Sequence, residues 1–377
     1  MPGLHFLPDK QRYSSPYPIL LAAMLYCSSV RGSAEVAEMA PQYFDVLCGA
    51  ISQLTIPNSD IGTAPQNPAD VEEWAFQTIL GLILGGLLAE GSIRETGIWI
   101  SIAYRLILEH CPPHSDERAH DWRKLFNGVQ IVDLEHASLH LSSPVIPIEP
   151  PIASLRTSHR DQLYRLSRMM HTGLAHFTGR NLPTIWSCFT TEGPMVPQTA
   201  THATVSSFTA VDAAVIRDWA RQLDLWLIEF TKAADDGQID RTIVFRQYVL
   251  HRLVVLSIYH PARGCDLYAN NVPPHEQFEL LLSARATIKL HLNDKTIWSN
   301  WDLVIITWAA MIVLQGLEGG VGEPDGRFGI RPFAGTYPCR PRGLSIYRLH
   351  ERRIPPRISS FDLRTKPKSS RKTGFVP

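Results

Sequence analysis

Apolar residues return every three to four positions along most of the chain, while strand-like alternation is scarce. That period confines the chain to an all-α fold, a multi-helix bundle of about ten helices. It predicts helices over roughly 17–30, 34–54, 70–89, 92–109, 117–141, 159–178, 208–234, 239–261, 274–293 and 300–318. Helix breakers fall between them. Pro57 through Pro68 reads as a loop, Pro112-Pro113 stops the helix before it, and Pro144 through Pro151 is too proline-rich for helix or central strand. Start signals agree: Asn67-Pro68-Ala69-Asp70 supplies a capping residue and a first-turn acid, and Asp116 and Glu117 favour a helix start there. No repeat at a fixed period points to a solenoid.

A connection over 179–207, carrying Pro183, Gly193, Pro194 and Pro197, divides the body (1–318) into a front bundle, 16–178, and a back bundle, 208–318. After Gly319-Gly320 the periodicity is lost and glycine, proline and arginine dominate, so 319–377 is expected to be a disordered basic tail. Charge sharpens this division. The formal net charge is zero, with 36 basic and 36 acidic residues. From Arg327 onward, however, 13 Lys and Arg face only Glu351 and Asp362, leaving that stretch at +11 and the residues before it at −11. A basic tail on an acidic body suggests an acidic partner, non-specific nucleic acid or an import receptor, beside the plain role of a solvated tail. Lys366-Pro367-Lys368 and Arg371-Lys372 suit nuclear import.

A hydrophobic fraction of 45% with 19% charged residues is that of a globular protein with a substantial core. Cys27, Cys48, Cys111, Cys188, Cys265 and Cys339 lie far apart with no C-x-x-C, and the first residues show no basic region followed by an apolar run. Reduced core thiols in a cytosolic or nuclear protein are therefore expected. Two apolar runs, Trp74 to Ala89 and Leu303 to Leu317, are 16 and 15 residues long and closed by acids. A bilayer span wants about 20 residues, so these read as buried core helices and no membrane is expected as a partner. Gly81 and Gly85 form a GxxxG that, in a core, marks close helix packing.

Candidate chemistry is thin. His136 and His140 share a helical face with Asp133 one turn earlier, but Ala137 stands where a zincin needs its glutamate. His110 with His114, and His171 with His176, read as surface or packing histidines. Asp235-Asp236 with Asp240 approaches the metal-binding face of helical terpene synthases, but Ile239 breaks the pattern and a turn is the simpler reading. No nucleophile elbow, P-loop or dinucleotide fingerprint occurs. The expectation is therefore no enzyme, no catalytic residue, no metal and no cofactor. One positive option is an apolar pocket for a small-molecule effector, lined by Trp186, Trp219, Trp226, Trp298, Trp301 and Trp308.

Several motifs then follow in order. Pro18 opens a helix of small and apolar residues (PILLAAM), and Ser101-Ile102-Ala103-Tyr104-Arg105 leads to Leu108 and His110. Asp116-Glu117-Arg118 leads to Trp122, Val132-Asp133 to Ser138, and the pattern closes on Ser143-Pro144. Gln247 to Pro261 forms a helix ending on Tyr259-His260-Pro261, with Phe278 to Leu292 and Trp301 to Leu314 after it. In this order and spacing the chain from 18 to 318 resembles the middle homology (regulatory) domain of fungal transcription factors, which usually follows a binuclear zinc cluster. Ser101 replaces that family's usual glycine, Ser142-Ser143-Pro144 replaces Gly-Arg-Pro, and the six-cysteine cluster is absent from this sequence.

The resemblance implies a nuclear transcription-regulatory domain acting through an effector or protein contacts, with other regulators or the transcription machinery as partners, or a second copy in a homodimer. It implies mainly structural roles for Arg105, Trp122, Asp133, Ser138, Pro144 and Pro261, and an ion pair between Arg105 and Asp133 is expected to link two helices. The alternatives are an all-helical, lyase-like enzyme and a helical protein-interaction scaffold.

Overall fold

The computed structural model describes residues 13–89, 95–113, 117–156, 162–180, 182, 184–185, 208–233, 241–258, 273–292 and 299–318. All of them belong to one compact unit, Met1–Ala334. The expected tail over 319–377 lies outside the described residues, as do Pro261, Asp235, Asp236, Asp240, Trp186, Trp298, His114, Cys188, Cys265 and Cys339.

Among the described residues there are eleven α-helices and no strand. They are α1 (Pro18–Val30), α2 (Ala34–Ala37), α3 (Ala40–Gln53), α4 (Pro68–Ala89), α5 (Thr96–His110), α6 (Glu117–His140), α7 (Gln162–Phe177), α8 (Ala210–Ala233), α9 (Arg241–Ser257), α10 (Pro274–His291) and α11 (Asn300–Glu318). A 3-10 turn, Ala153–Leu155, lies between α6 and α7. The one helix expected over 34–54 is two. Pro41 is the reason: in mid-helix its ring would strike the carbonyl of Ala37, where α2 ends, whereas in the first turn of α3 it is tolerated.

Two clusters of buried side chains organise the unit. The first runs from Ile19 to Leu155 and joins α1, α3, α4, α5 and the first two-thirds of α6, around Trp74, Phe76, Trp99, Trp122 and Phe126. The second joins Leu134, Ala137, Leu139 and Leu141 at the end of α6 with α7 through α11, around Trp219, Trp226, Trp301 and Trp308. The buried residues of α7 (Leu166, Met170, Leu174, Phe177) thus lie in the second cluster, although their place in sequence groups them with the front helices. The division between clusters falls inside α6, which contributes to both.

Close helix contacts explain two glycines. A methyl on Gly81 would stand 2.9 Å from both the Ile19 Cγ2 and the Leu20 backbone nitrogen, so α1 lies directly on α4. On Gly173 of α7 it would fall 2.2 Å from the indole of Trp219, which fills that notch from α8. Two helices, Asp70–Ala89 and Asn300–Leu317, are long and apolar enough to cross a membrane by length and composition. Of the first, 78% is buried inside the protein, and of the second 39%. Both extend by a polar turn beyond the apolar runs seen in the sequence, which is why they exceed the expected lengths.

Candidate functional site

Most of the motif residues singled out in the sequence fall on α5, α6 and the strap that follows them, and α6 is the element that gathers them. Trp122, in its first half, is 1% exposed. Its ring meets Phe76 edge-on at 5.5 Å, and its indole N–H donates to Glu72 Oε1 at 3.3 Å. Ser138, near the other end, donates to the Glu135 carbonyl at 2.8 Å and accepts the indole N–H of Trp301 at 3.0 Å. Trp301 opens α11 and is fully buried, so Ser138 supplies a partner for a polar atom inside the second cluster. One helix therefore carries an anchor in each cluster.

Between those anchors lies Asp133, 3% exposed. Its Oδ2 accepts the backbone N–H of Ile146 at 2.7 Å, and the Val145 N–H adds a second bond. Burial outweighs these two bonds and pushes its carboxyl up to about 7. The expected ion pair with Arg105 does not form. Arg105 points outward from α5 and pairs with Glu109 one turn along, its side chain 72% exposed. The core-facing side of α5 is taken by Ala103, Leu106 and Ile107, which leaves the guanidinium in water and Asp133 to the strap's amides.

The strap begins where α6 stops. Leu141 takes a left-handed backbone (φ 47°), and the N–H of Ser142 returns to the Ala137 carbonyl at 3.1 Å, closing the helix by the motif that usually employs glycine. Leu141 accepts that conformation because its side chain is buried in the second cluster. Pro144 is buried and Ile146 enters the first cluster, so the strap crosses from one core to the other within six residues. Further along, Gln130 Nε2 donates to the carbonyls of Pro147 (3.1 Å) and Ile148 (3.4 Å). From α7, Tyr164 donates to Glu149 at 3.3 Å, and burial lowers the half-buried His171.

The histidines divide by surroundings. His136 and His140 stack at 4.6 Å, and burial, then His140, pushes His136 down to about 4. Its ring lies 3.3 Å from where a Gly97 Cβ would stand, and its Nε2 has no partner. No group of three metal-ligating side chains occurs among the described residues. His110 meets Trp74 edge-on at 5.8 Å. His251 is held by Gln247 O through Nδ1 at 2.8 Å beside Trp301, and burial pushes it down to about 4.

Three ionic arrangements were not foreseen. At the start of α8, Asp212 accepts the Thr209 N–H (2.6 Å) and hydroxyl (2.9 Å), while its own N–H donates to Thr209 Oγ1 at 3.3 Å. This is a capping box, and its signature Thr-x-x-Asp was present in the sequence. Asp212 also binds His176 at 2.8 Å and both terminal nitrogens of Arg180, which follows α7. Burial opposes its charge, but these donors win and hold its carboxyl well below the usual range. Elsewhere, Asp224 receives Tyr248 (2.7 Å) and Arg252 (2.9 Å), Arg252 reaches Ser283 (2.7 Å), and Arg246 pairs with the buried Asp302 at 2.6 Å. The second and third join residues 24 to 56 positions apart, a separation that local sequence reading does not span.

The four described tryptophans of the expected pocket are all in the second cluster. Trp301 and Trp308 donate to Ser138 and Ser257 (2.8 Å), and Trp219 is packed into the Gly173 notch. The Nε1 atoms of Trp219 and Trp226 have no partner. Comparison with known proteins adds nothing to this picture: no protein-family model, no curated protein and no solved structure matches the chain.

Proposed function

We propose that the chain is a nuclear, transcription-regulatory domain that works through effector or protein contacts, without a DNA-reading zinc cluster in this sequence. One observation carries the reading. The motif residues of the resemblance follow in order from Pro18 to Leu314, and Trp122, Asp133 and Ser138 fall on a single helix that ties two hydrophobic cores together. A spine shared by two cores suits a domain whose task is to pass a binding event at one side to a contact at the other. The basic stretch from Arg327 supports a subsidiary contact with nucleic acid or an import receptor.

The test is a fusion of the full chain to a foreign DNA-binding module, read on a reporter that carries the module's site. Activation or repression relative to the module alone is the expected result, together with nuclear accumulation of the untagged chain. A fusion that leaves the reporter unchanged, with the chain excluded from nuclei, overturns the reading.

A further inference from the structure

α11 is apolar on both of its sides. The inner side carries Val304, Ile305, Ile312 and two tryptophans into the second cluster, where the indoles of Trp301 and Trp308 bind Ser138 and Ser257. On the outer side Leu303, Ile306, Ala310, Val313 and Leu317 follow at alternating steps of three and four, and none of them is fully buried. Those are successive a and d positions of a heptad, the seam that another helix covers knob into hole. Leu314 beside the seam and Leu317 within it are 57% and 53% exposed. A solvated outer face ordinarily carries charge, yet α11 has no charged residue between Asp302 and Glu318, with only 39% of the helix buried inside the protein.

The apolar surface continues onto α10. Arg252 on Ser283 and Arg217 on Glu276 turn one flank of that helix toward α9 and α8. Phe278 and Leu282, 39% and 54% exposed, stand one turn apart on the opposite flank. α10 and α11 pack side by side, so this flank is the one that borders the seam.

We propose that this face is the contact with a second copy of the same chain, α11 seated on α11 across Ala310. The proposal names one of the protein contacts in the reading above and to that extent rests on it. The purified chain tests it without a reporter, so either can fail alone.

Size, charge and symmetry select that occupant. The side chains of the face leave on the order of 500 Å² exposed, so two copies bury about 1,000 Å², the threshold for a specific contact. A partner of different sequence is chosen through charges flanking the seam, and α11 supplies none. An identical uncharged face meets itself without like-charge repulsion, and a two-fold contact closes at two copies. The small side chain of Ala310, in mid-seam, lets the helices approach there. A lipid surface is the poorer match, because a helix lying in one carries Lys and Arg beside its apolar face and α11 has neither.

Sedimentation equilibrium of the purified full chain, from nanomolar to high micromolar concentration, reads the contact. A monomer–dimer equilibrium is expected, with a dissociation constant in the micromolar range for a face of this size. Leu314→Glu with Leu317→Glu should weaken it at least about tenfold. Circular dichroism and the thermal midpoint should stay near wild type, because both side chains are already more than half exposed. Val211→Glu with Leu225→Glu, comparably exposed on α8, should leave the dimer unchanged. Ala310→Cys probes the same place without adding charge: mild oxidation should join two chains beyond whatever the native cysteines give in wild type. If the doubly charged variant fails to fold, A310C decides. A wild-type chain that stays monomeric throughout overturns the proposal, as does a dimer that persists in folded L314E/L317E or an A310C protein that links no more than wild type. Monomeric protein that sediments with phosphatidylserine vesicles, and loses this in L314E/L317E, also overturns it and assigns the face to lipid.

Discussion

Two buried imidazoles make this fold sensitive to acid. His136 and His251 are pushed to about 4 by burial, while in the unfolded chain each titrates near 6.5. Between those values the unfolded state binds more protons, so stability falls as pH drops from 6.5 to 4, by up to about 1.4 kcal/mol per pH unit for each histidine. Urea unfolding at a series of pH values should show this acid limb, and the double variant His136→Gln, His251→Gln should flatten it. A second residue-scale expectation concerns the indole of Trp301. Ser138→Ala removes the hydroxyl that accepts that N–H and should cost about 1–3 kcal/mol. Trp301→Phe made on top of Ser138→Ala should add less than it does alone, because the pair is coupled, and a double-mutant cycle in urea checks this.

At the scale of elements, close approach and capping decide. Gly173→Ala gains about 1 kcal/mol in helix propensity but drives a methyl into Trp219, and a net loss of about 1–3 kcal/mol is expected in a thermal or urea melt. Asp212→Ala removes the capping box of α8 and leaves Arg180 and His176 without their shared carboxylate. Its wild-type contribution is present above about pH 4 and lost as pH falls through the depressed value, because the folded carboxylate resists protonation. Unfolding curves at pH 7 and pH 3 should therefore show the gap between wild type and D212A beginning to narrow at the lower pH without closing. The periodicity of the sequence was enough to find these helices, and the Pro-rich strap after α6 was equally readable as non-helical. The break at Pro41 and the Thr209-x-x-Asp212 cap were also written there, in local chemistry that a period-based reading passes over. The partner of Arg105 was not readable in that way. Whether its guanidinium faces Asp133 or water depends on the rotation of α5, which Ala103 and Ile107 set by packing against distant helices.

The whole unit is organised by what α6 shares. Sequence spacing places its division in the connection over 179–207, because breakers are visible and core membership is not. In the structure Leu134 to Leu141 belong with helices that lie up to 170 residues later, joined through contacts such as Ser138 to Trp301. This shared helix has a consequence for the order in which the nascent chain matures. The first cluster needs nothing beyond Leu155 and has its full set of apolar partners as soon as that residue leaves the ribosome. The last turns of α6, with Leu134, Ala137 and Leu139, are then covered in two stages, by α7 once Phe177 has been made and by α11 only after 300–318 has been synthesised. Between those stages, about 140 residues of synthesis, the half-made protein displays a partly covered apolar end, and a holding chaperone would find its grip there.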